Sequence, residues 1–313
     1  MRAAVLNSSG FQLRDAEIPT PGAGEVLIKM IACGICGGDQ HIFSIRDRLP
    51  EEETWLGHEG AGTIVSLGDG VSGFNVGDTV TSLSGGFSEY FISHADHACL
   101  VPKGIDPRLA LGEPVACCVH ASDRFGTKSG DHVAVVGCGF MGLLCMQLLK
   151  LQGAGKIVAI DPIAYRREAA IQLGADTAIA PEEVESFDPE QGIFDIVVEA
   201  AGIPSAIDLS TDLARQHGRV IFVGYHESND GMRVVNMQRW NLKALDIVNG
   251  HVRRMDEKYD AMVKGVELIA QGKLHTKELV VEYPLDEIST AFDDIFGREK
   301  EIFKVVLVDG GAH

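Results

Sequence analysis

Short runs of apolar and β-branched residues dominate the first hundred residues. The runs at 25–31, 62–66, 78–82 and 88–92 are rich in Val, Ile and Thr, and Gly or Pro punctuates them. Runs of this length and composition are typical of strands that are joined by tight turns. The first part of the chain is therefore predicted to be β-rich and to form an irregular antiparallel barrel.

The pattern changes near Leu109, and from Asp131 onward apolar runs alternate with amphipathic stretches. This alternation predicts strand–helix–strand units, a parallel sheet and an α/β fold class. A tail with a helix and two strands follows, and we expect it to return to the first domain. The predicted strands are 132–136, 156–160, 193–199, 219–223, 244–248, 279–283 and 303–308, and the predicted helices are 143–151, 163–173, 204–213 and 258–271.

Composition narrows the possible partners. The 313 residues carry a net charge of −18 and no basic run, which disfavours binding to nucleic acid or to an anionic membrane. The uncharged stretch 133–149 is better explained by a strand, a glycine turn and a buried helix than by a membrane span. Seven cysteines scattered among apolar residues favour a reducing compartment, so a cytoplasmic protein is expected. The acidic run 51–53 is interpreted as a solvated loop.

A glycine-rich turn, GCGFMG, follows the predicted strand 132–136. Between a strand and a helix this pattern binds the pyrophosphate of a dinucleotide. Gly137 permits the tight turn, Gly139 lets the backbone approach the pyrophosphate, and Gly142 allows the helix to pack closely on the strand. The helix that follows presents free N–H groups to the phosphates, so Phe140 and Met141 are also candidate cofactor-binding residues.

An acidic residue ends the next predicted strand. Asp161 lies nineteen residues after Gly142, near the spacing at which an acid binds the adenosine ribose. A carboxylate there repels a 2′-phosphate, and Pro162 follows it, so NAD is expected rather than NADP. Arg166 lies on the following helix, where it is either solvated or beside the adenosine. Further cofactor-binding candidates, which lie at or just after the ends of other predicted strands, are Ala201, Val223 and Gly224.

Candidate metal ligands lie in the β-rich part of the chain. Cys36, His58 and Glu59 offer a thiolate, an imidazole and a carboxylate, which are ligand types of catalytic zinc. Cys33 and Cys36 form a CxxC pair, but the thioredoxin-like setting of a redox pair is missing. Each of these residues alone would suit a core position. Their occurrence together, in a chain that also carries a dinucleotide-binding motif, favours a metal site instead.

Four motifs now make a resemblance clear: CGICGGDQH at 33–41, GHEGAG at 57–62, GEPVACCVH at 112–120 and VVGCGFMG at 135–142. The chain resembles the medium-chain dehydrogenase/reductase superfamily, in its zinc-dependent, sorbitol-dehydrogenase-like alcohol and polyol branch. The resemblance implies a GroES-like catalytic domain from 1–114 and 256–313, and a doubly wound Rossmann domain over 115–255. It also implies a small alcohol or ketone substrate and a homodimer or homotetramer that associates near 244–248.

The resemblance extends to individual ligands. Cys36 and His58 match the two zinc ligands of that branch, and Glu59 matches an acid that either binds zinc or stands just behind it. Glu113 matches the position at which sorbitol-dehydrogenase-like members carry Glu, and it would ligate zinc transiently or through water. Asp39 matches an acid that accepts the free N–H of His58. His41 matches the outer end of the proton relay of the family.

Two departures from the family pattern matter. Gly38 stands where most zinc-dependent relatives carry the Ser or Thr that hydrogen-bonds the substrate oxygen. Either a water or a substrate hydroxyl replaces that side chain, or the relay is altered. The four-cysteine lobe that binds structural zinc is also missing, since residues 77–78 are followed almost at once by 86–89 without a cysteine. One zinc ion per chain, in the catalytic site, is therefore expected.

The expected activity is a zinc-dependent hydride transfer between NAD and a secondary alcohol or ketone. The resemblance favours a polyol, a cyclitol or a sugar alcohol. Two alternatives stay open. One is an amino-alcohol dehydrogenase of the threonine type, and the other is a non-catalytic, nucleotide-binding regulatory protein whose site has decayed at Gly38.

Overall fold

The computed structural model describes residues 1–49, 53–186 and 192–310. The chain forms two compact units, of which the first contains both chain ends. The first unit comprises Met1–Ala116, Lys258–Gln271 and Thr276–His313, and the second comprises Cys117–Glu257 and Gly272–His275.

The strands and helices alternate as the sequence pattern predicts, with further elements near the start of the chain. The strands are β1 Arg2–Asn7, β2 Gly10–Asp15, β3 Glu25–Gly34, β4 Thr54–Trp55, β5 Glu59–Leu67, β6 Thr79–Ser82, β7 Tyr90–His94, β8 Ala98–Leu100, β9 His132–Val136, β10 Lys156–Ile160, β11 Thr177–Ile179, β12 Phe194–Glu199, β13 Ala214–Phe222, β14 Asp246–Asn249, β15 Val280–Pro284 and β16 Lys304–Val308. The α-helices are α1 Gly37–Ser44, α2 Gly112–Asp123, α3 Phe140–Leu151, α4 Ala164–Gln172, α5 Pro204–Leu213, α6 Met237–Lys243, α7 Met255–Ala270 and α8 Ile288–Gly297.

The first unit is built on a sheet in the order β15-β16-β3-β5-β6-β8, with β7 also paired to β3. A smaller sheet has the order β2-β1-β4. The pairs are antiparallel, as predicted, except that β15 and β16 are parallel. Strand β16 pairs with β3, with Leu307 opposite Cys33. The C-terminal strand therefore lies beside the strand that leads into Cys36.

An aromatic cluster in the core of the first unit holds α1 in place. Phe43 of α1 lies 4.8 Å, between ring centroids, from the fully buried Phe292 of α8. Phe11 of β2 lies 4.7 Å from the same ring, and Phe87 packs edge-on to it at 6.5 Å. Each such pair stabilises by about 0.5–1.5 kcal/mol beyond the burial of apolar area. The helix that follows Cys36 is thus packed on a rigid base.

The second unit is a parallel sheet in the order β11-β10-β9-β12-β13-β14, the order of a doubly wound dinucleotide-binding fold. Val136, at the end of β9, is opposite both Ile160 of β10 and Glu199 of β12. The carboxyl ends of these strands therefore meet at one edge of the sheet, where ligands bind in such folds. This arrangement confirms the Rossmann fold that the sequence predicts.

Several boundaries differ from the sequence-based expectation. The helix after the glycine turn begins at Phe140 rather than at residue 143, and β13 begins at Ala214 rather than at residue 219. The uncharged stretch 133–149 is divided between β9 and α3. In the described parts of the chain, no helix combines the length and the apolar character that crossing a membrane requires. Of the predicted acidic loop at 51–53, residues 51 and 52 lie outside the described residues.

Candidate active site

Paired strand ends bring three potential metal ligands together. Gly34 at the end of β3 is opposite Glu59 at the start of β5, so Cys36 and His58 flank the same end of the strand pair. The ligand atoms of Cys36, His58 and Glu59 all lie within 4.8 Å of one another. In residues 1–49, 53–186 and 192–310, this is the one cluster of three or more Cys, His, Asp or Glu side chains close enough to hold an ion.

Cys36 also begins helix α1. Its Sγ accepts a hydrogen bond from the Asp39 backbone N–H at 3.4 Å, and the Cys36 N–H donates to the Asp39 carboxylate at 2.9 Å. This reciprocal cap satisfies two N–H groups that a helix start leaves open. The Gly57 N–H also donates to Asp39, at 3.4 Å. Asp39 therefore orients both Cys36 and the backbone that precedes His58.

The hydrogen bond expected from His58 to Asp39 is not formed. The distance from His58 Nδ1 to Asp39 Oδ1 is 4.0 Å, which is within ion-pair range but too long for a hydrogen bond. The Asp39 carboxylate accepts backbone N–H groups from both sides, those of Cys36 and Gly57. Asp39 therefore contacts the backbone that precedes the imidazole rather than the imidazole itself.

Glu59 lies against a buried lysine. Its side chain is 2% exposed, and Oε2 contacts the Nζ of Lys304 on β16. The contact pairs a buried carboxylate with a buried ammonium group. Lys304 Nζ also donates to the Ile35 carbonyl at 3.0 Å. Burial lowers the pKa of Lys304, but Glu59 more than offsets this effect, and the net pKa is raised.

A second acid, Glu113 in the first turn of α2, lies nearby. Its Oε1 is 2.5 Å from the Nζ of Lys258 on α7, and both side chains are largely buried. Burial raises the pKa of Glu59, Lys304 opposes this effect, and the Glu113 carboxylate raises the pKa further. Glu113 is therefore close enough to act on Glu59. It does not belong to the cluster of three ligand atoms, so its expected role as a transient or water-mediated ligand stays a prediction.

These residues fit a divalent cation. Burial raises the pKa of the Cys36 thiol well above its usual value, and the carboxylates of Asp39 and Glu59 raise it further. A dication among them would offset this negative field and stabilise the thiolate. Space for the carboxylate depends on Gly34, because a Cβ at that residue would lie 2.0 Å from Glu59 Oε2. The donor set is that of a catalytic zinc site.

The relay candidates lie on α1, directly after Cys36. Gly38 is in the first turn, and His41 follows three residues later, so both lie on one face of the helix. His41 is half-buried. Gly38 offers no side chain toward that face, whereas His41 carries an imidazole there.

The glycine turn of the second unit has the geometry that a dinucleotide requires. Gly137 has φ +94°, a conformation that favours glycine, and its N–H donates to the Ile160 carbonyl at 2.9 Å. A Cβ on Gly142 would lie 1.9 Å from the Gly137 oxygen, whereas a Cβ on Gly139 would meet nothing within 4 Å. Gly142 thus serves packing, and Gly139 leaves open space at the start of α3, where Phe140 and Met141 follow.

Asp161 is held firmly at the end of β10. It is 3% exposed, and its carboxylate accepts the backbone N–H groups of Cys138 and Ile163, both at 2.8 Å. Arg166 approaches the same carboxylate, with its NH1 4.0 Å from Oδ2. Arg167 donates to the Asp161 carbonyl at 2.8 Å. Of the two positions expected for Arg166, this proximity favours the one beside the adenosine.

The remaining cofactor candidates surround a buried glutamate that the sequence analysis missed. Glu199 is fully buried at the end of β12 and accepts the N–H groups of Ala201 and Gly202, while its own carbonyl accepts the N–H of Val223. Its other oxygen lies 3.1 Å from His226 Nε2. Glu199 therefore ties together the loops after β12 and β13.

A cavity of about 420 Å³ opens beside these loops, at the carboxyl ends of β13 and β14. Its lining includes Gly224, His226, Arg233, Asn249 and His251. Burial lowers the pKa of His251, which favours the neutral imidazole. The cavity lies within the second unit, at the edge where doubly wound sheets bind their ligands.

Comparison with known proteins identifies the class. Residues 22–105 match the model of the alcohol dehydrogenase GroES-like domain, and residues 141–267 match that of the zinc-binding dehydrogenase. A sorbitol dehydrogenase of Halalkalibacterium halodurans is 30% identical over 348 residues, which cover 98% of this chain and 99% of that protein. An L-threonine 3-dehydrogenase of Pyrococcus furiosus is 32% identical over 313 residues, which cover 87% of each chain.

A solved structure shows the same architecture. A zinc-binding dehydrogenase from Sinorhizobium meliloti, bound to NADP, superposes with a TM-score of 0.86 at 26% identity and covers 98% of both chains. The β-rich unit with its ligand cluster and the Rossmann unit with its glycine turn together define a two-domain, zinc-type dehydrogenase. The chain belongs to the zinc-dependent alcohol and polyol dehydrogenases of the medium-chain dehydrogenase/reductase superfamily.

Proposed function

We propose that this protein transfers a hydride between NAD and the carbon of a secondary alcohol or ketone, with a polyol, a cyclitol or a sugar alcohol as substrate. One observation carries the proposal: Cys36, His58 and Glu59 converge in a chain that also contains the open glycine turn at Gly139. Cys36, His58 and Glu59 would hold a zinc ion. When bound, the ion supplies a Lewis acid that favours the alkoxide at neutral pH.

The residues of this chain supply the rest of the chemistry. Asp39 fixes the position of Cys36 through the reciprocal cap. Gly139 and the start of α3 would bind the pyrophosphate, and Asp161 would bind the adenosine ribose. The nicotinamide would use the cavity beside Gly224, where Ala201 and Val223 are held by Glu199. His41 would accept the proton that leaves the substrate, through a water or a hydroxyl that occupies the space beside Gly38.

The metal and the substrate class can be tested together. Purified protein should contain about one zinc per chain, and Cys36→Ser should lose both the metal and NADH formation with a panel of polyols. A panel of L-threonine and other amino alcohols tests the second candidate, which the similarity to L-threonine 3-dehydrogenases supports. Failure to form NADH with either panel by a zinc-loaded protein would favour the regulatory alternative.

The missing side chain at Gly38 leads to a prediction about which alcohols react fastest. If a substrate hydroxyl replaces the missing Ser or Thr, vicinal diols should react faster than mono-ols of equal size, mainly through kcat. Gly38→Ser should narrow this difference, and His41→Ala should slow oxidation most at low pH, where proton removal is hardest. Equal rates for diol and mono-ol, with no effect of His41→Ala at any pH, would refute the relay.

A preference for NAD over NADP is proposed from Asp161. The NADP-bound relative and the proximity of Arg166 make this preference worth measuring. Asp161→Ser should weaken NAD binding and raise the kcat/KM ratio of NADP to NAD by about tenfold or more. The ratio is measured by initial rates with both cofactors. A wild-type protein that uses NADP more efficiently would contradict this assignment.

We also propose a single zinc ion per chain and a homodimer or homotetramer. The single zinc is supported by the short connection between β6 and β7, residues 83–89, which leaves little room for a structural-zinc lobe. The alignment with the sorbitol dehydrogenase spans 348 positions against 313 residues here, in keeping with such a deletion.

The assembly is supported by strand β14, which is an edge strand of its sheet. Val234 and Leu242, which precede it, are exposed. Light scattering tests the assembly. Seven free thiols support a reducing, cytoplasmic location.

A further inference from the structure

We propose that Lys258 is a positioning residue that withholds Glu113 from the metal and thereby keeps one coordination position open for substrate. The inference rests on the proposed metal site. Its main observation is the 2.5 Å contact between Lys258 Nζ and Glu113 Oε1, outside the three-atom ligand cluster.

The ion pair between Lys258 and Glu113 is shielded from solvent, because both side chains are largely buried. The side chains of Lys258 and Glu113 are 16% and 11% exposed. A buried carboxylate without a compensating charge is strongly unfavourable, so Glu113 requires a cationic partner. A dication bound by Cys36 and His58 would be a second cation within its neighbourhood. Lys258 and the metal therefore compete for one carboxylate.

The two lysines of the site make this competition specific. Lys304 contacts Glu59, which belongs to the ligand cluster, and Lys258 contacts Glu113, which does not. Counting formal charges, the thiolate of Cys36, Asp39 and the two glutamates carry four negative charges, and the two lysines return two positive ones. Removal of Lys258 increases the net negative charge that faces the ion and also releases a carboxylate.

A fourth protein ligand would change the chemistry. Catalytic zinc sites keep a position for water or substrate, whereas sites with four protein ligands are closed and structural. If Glu113 joined Cys36, His58 and Glu59, the substrate oxygen would have to displace it. Lys258 thus favours an open site at the expense of metal affinity.

The test compares Lys258→Met with the wild type in metal retention and in access to the ion. Zinc release to an excess of chelator should be about tenfold slower in Lys258→Met, in line with the size of effects from residues behind metal ligands. In cobalt-substituted protein, azide should shift the visible spectrum of the wild type and fail to shift that of Lys258→Met. KM for the alcohol should rise in the same variant.

Three further variants isolate the cause. Lys258→Arg keeps the charge and should behave as the wild type. The double variant Lys258→Met/Glu113→Gln has no carboxylate at residue 113, so it should release zinc faster than Lys258→Met does. Lys300→Met removes a comparable contact, 2.6 Å from Asp294, elsewhere in the same unit and should change nothing. A Lys258→Met protein that folds only with metal present supports the proposal, since the ion then replaces Lys258 as the partner of Glu113.

Two results would overturn the proposal. One is zinc release from Lys258→Met that is as fast as, or faster than, release from the wild type. The other is an azide shift that survives in this variant. A wild-type protein that holds no zinc would refute the proposed function itself, whereas normal zinc content and activity with an indifferent Lys258→Met would refute only the role of Lys258.

Discussion

Replacing Gly142 by Ala should separate the packing role of the glycine turn from its binding role. A Cβ at this position would lie 1.9 Å from the Gly137 carbonyl oxygen and 3.3 Å from the Ala200 Cβ. A carbon and an oxygen in contact normally lie about 3.3 Å apart, so α3 would have to move by roughly 1.4 Å. The obstructing atom belongs to a backbone that the Gly137–Ile160 hydrogen bond fixes, so it cannot rotate away.

The expected penalty follows from overpacking. Forced insertion of a methyl group into a packed interior costs about 1–3 kcal/mol. In a unit of this size that corresponds to roughly 2–4 °C in Tm per kcal/mol. We therefore expect the thermal transition of the Rossmann unit to fall by about 2–12 °C in Gly142→Ala, measured by scanning calorimetry without cofactor.

Gly139→Ala is the matched control. Its φ is −75° and a Cβ would meet nothing within 4 Å, so the loss of a favourable cap residue, about 1 kcal/mol or less, is offset by reduced freedom of the unfolded chain. Tm should stay nearly constant, while the added methyl group obstructs the pyrophosphate and weakens NADH binding about tenfold in a fluorescence titration. If Gly142→Ala melts like the wild type, or if Gly139→Ala binds NADH normally, the two roles have been assigned wrongly.

Further predictions concern the charges and the assembly. Lys304→Met should destabilise the metal-free protein by about 3–5 kcal/mol in urea, because Glu59 is left buried without its cation. Lys300→Met, whose pair with Asp294 is more exposed, should cost much less, and equal losses would contradict the argument. Added zinc should restore part of the stability lost in Lys304→Met. Light scattering should show a dimer or tetramer, and a monomer at working concentration would reject the association at β14.

The sequence predicted the parallel sheet and the glycine turn well, because both follow from local patterns. Helix α1 was missed for a physical reason. Gly37 and Gly38 open it with poor helix propensity, and its cap uses Cys36 and Asp39 instead of Ser or Thr. The eight-residue helix depends on that cap and on the packing of Phe43 against α8.

The charge partners in the site were beyond sequence reasoning for a different reason. Lys304 begins the otherwise apolar strand β16, and a lysine next to a buried run is a signal that an acid faces it. Lys258 carries no such signal, since lysines are common on the exposed faces of helices. Its pairing with Glu113 arises from two helices that are 145 residues apart in the chain. Only the fold brings them together.

The division of the first unit between the two ends of the chain has a consequence for biosynthesis. During synthesis Glu59 lacks its cationic partner at first, because Lys304 is added 245 residues later (304 against 59). At translation rates of about 5–20 residues per second, that interval is roughly 10–50 s. The nascent chain therefore presents an uncompensated acid and an unpaired β3 edge to the ribosome's surroundings, while residues 117–257 can already fold. A dication held by Cys36, His58 and Glu59 would supply the missing positive charge during this interval, so early metal binding would favour the emerging first unit until β16 adds Lys304.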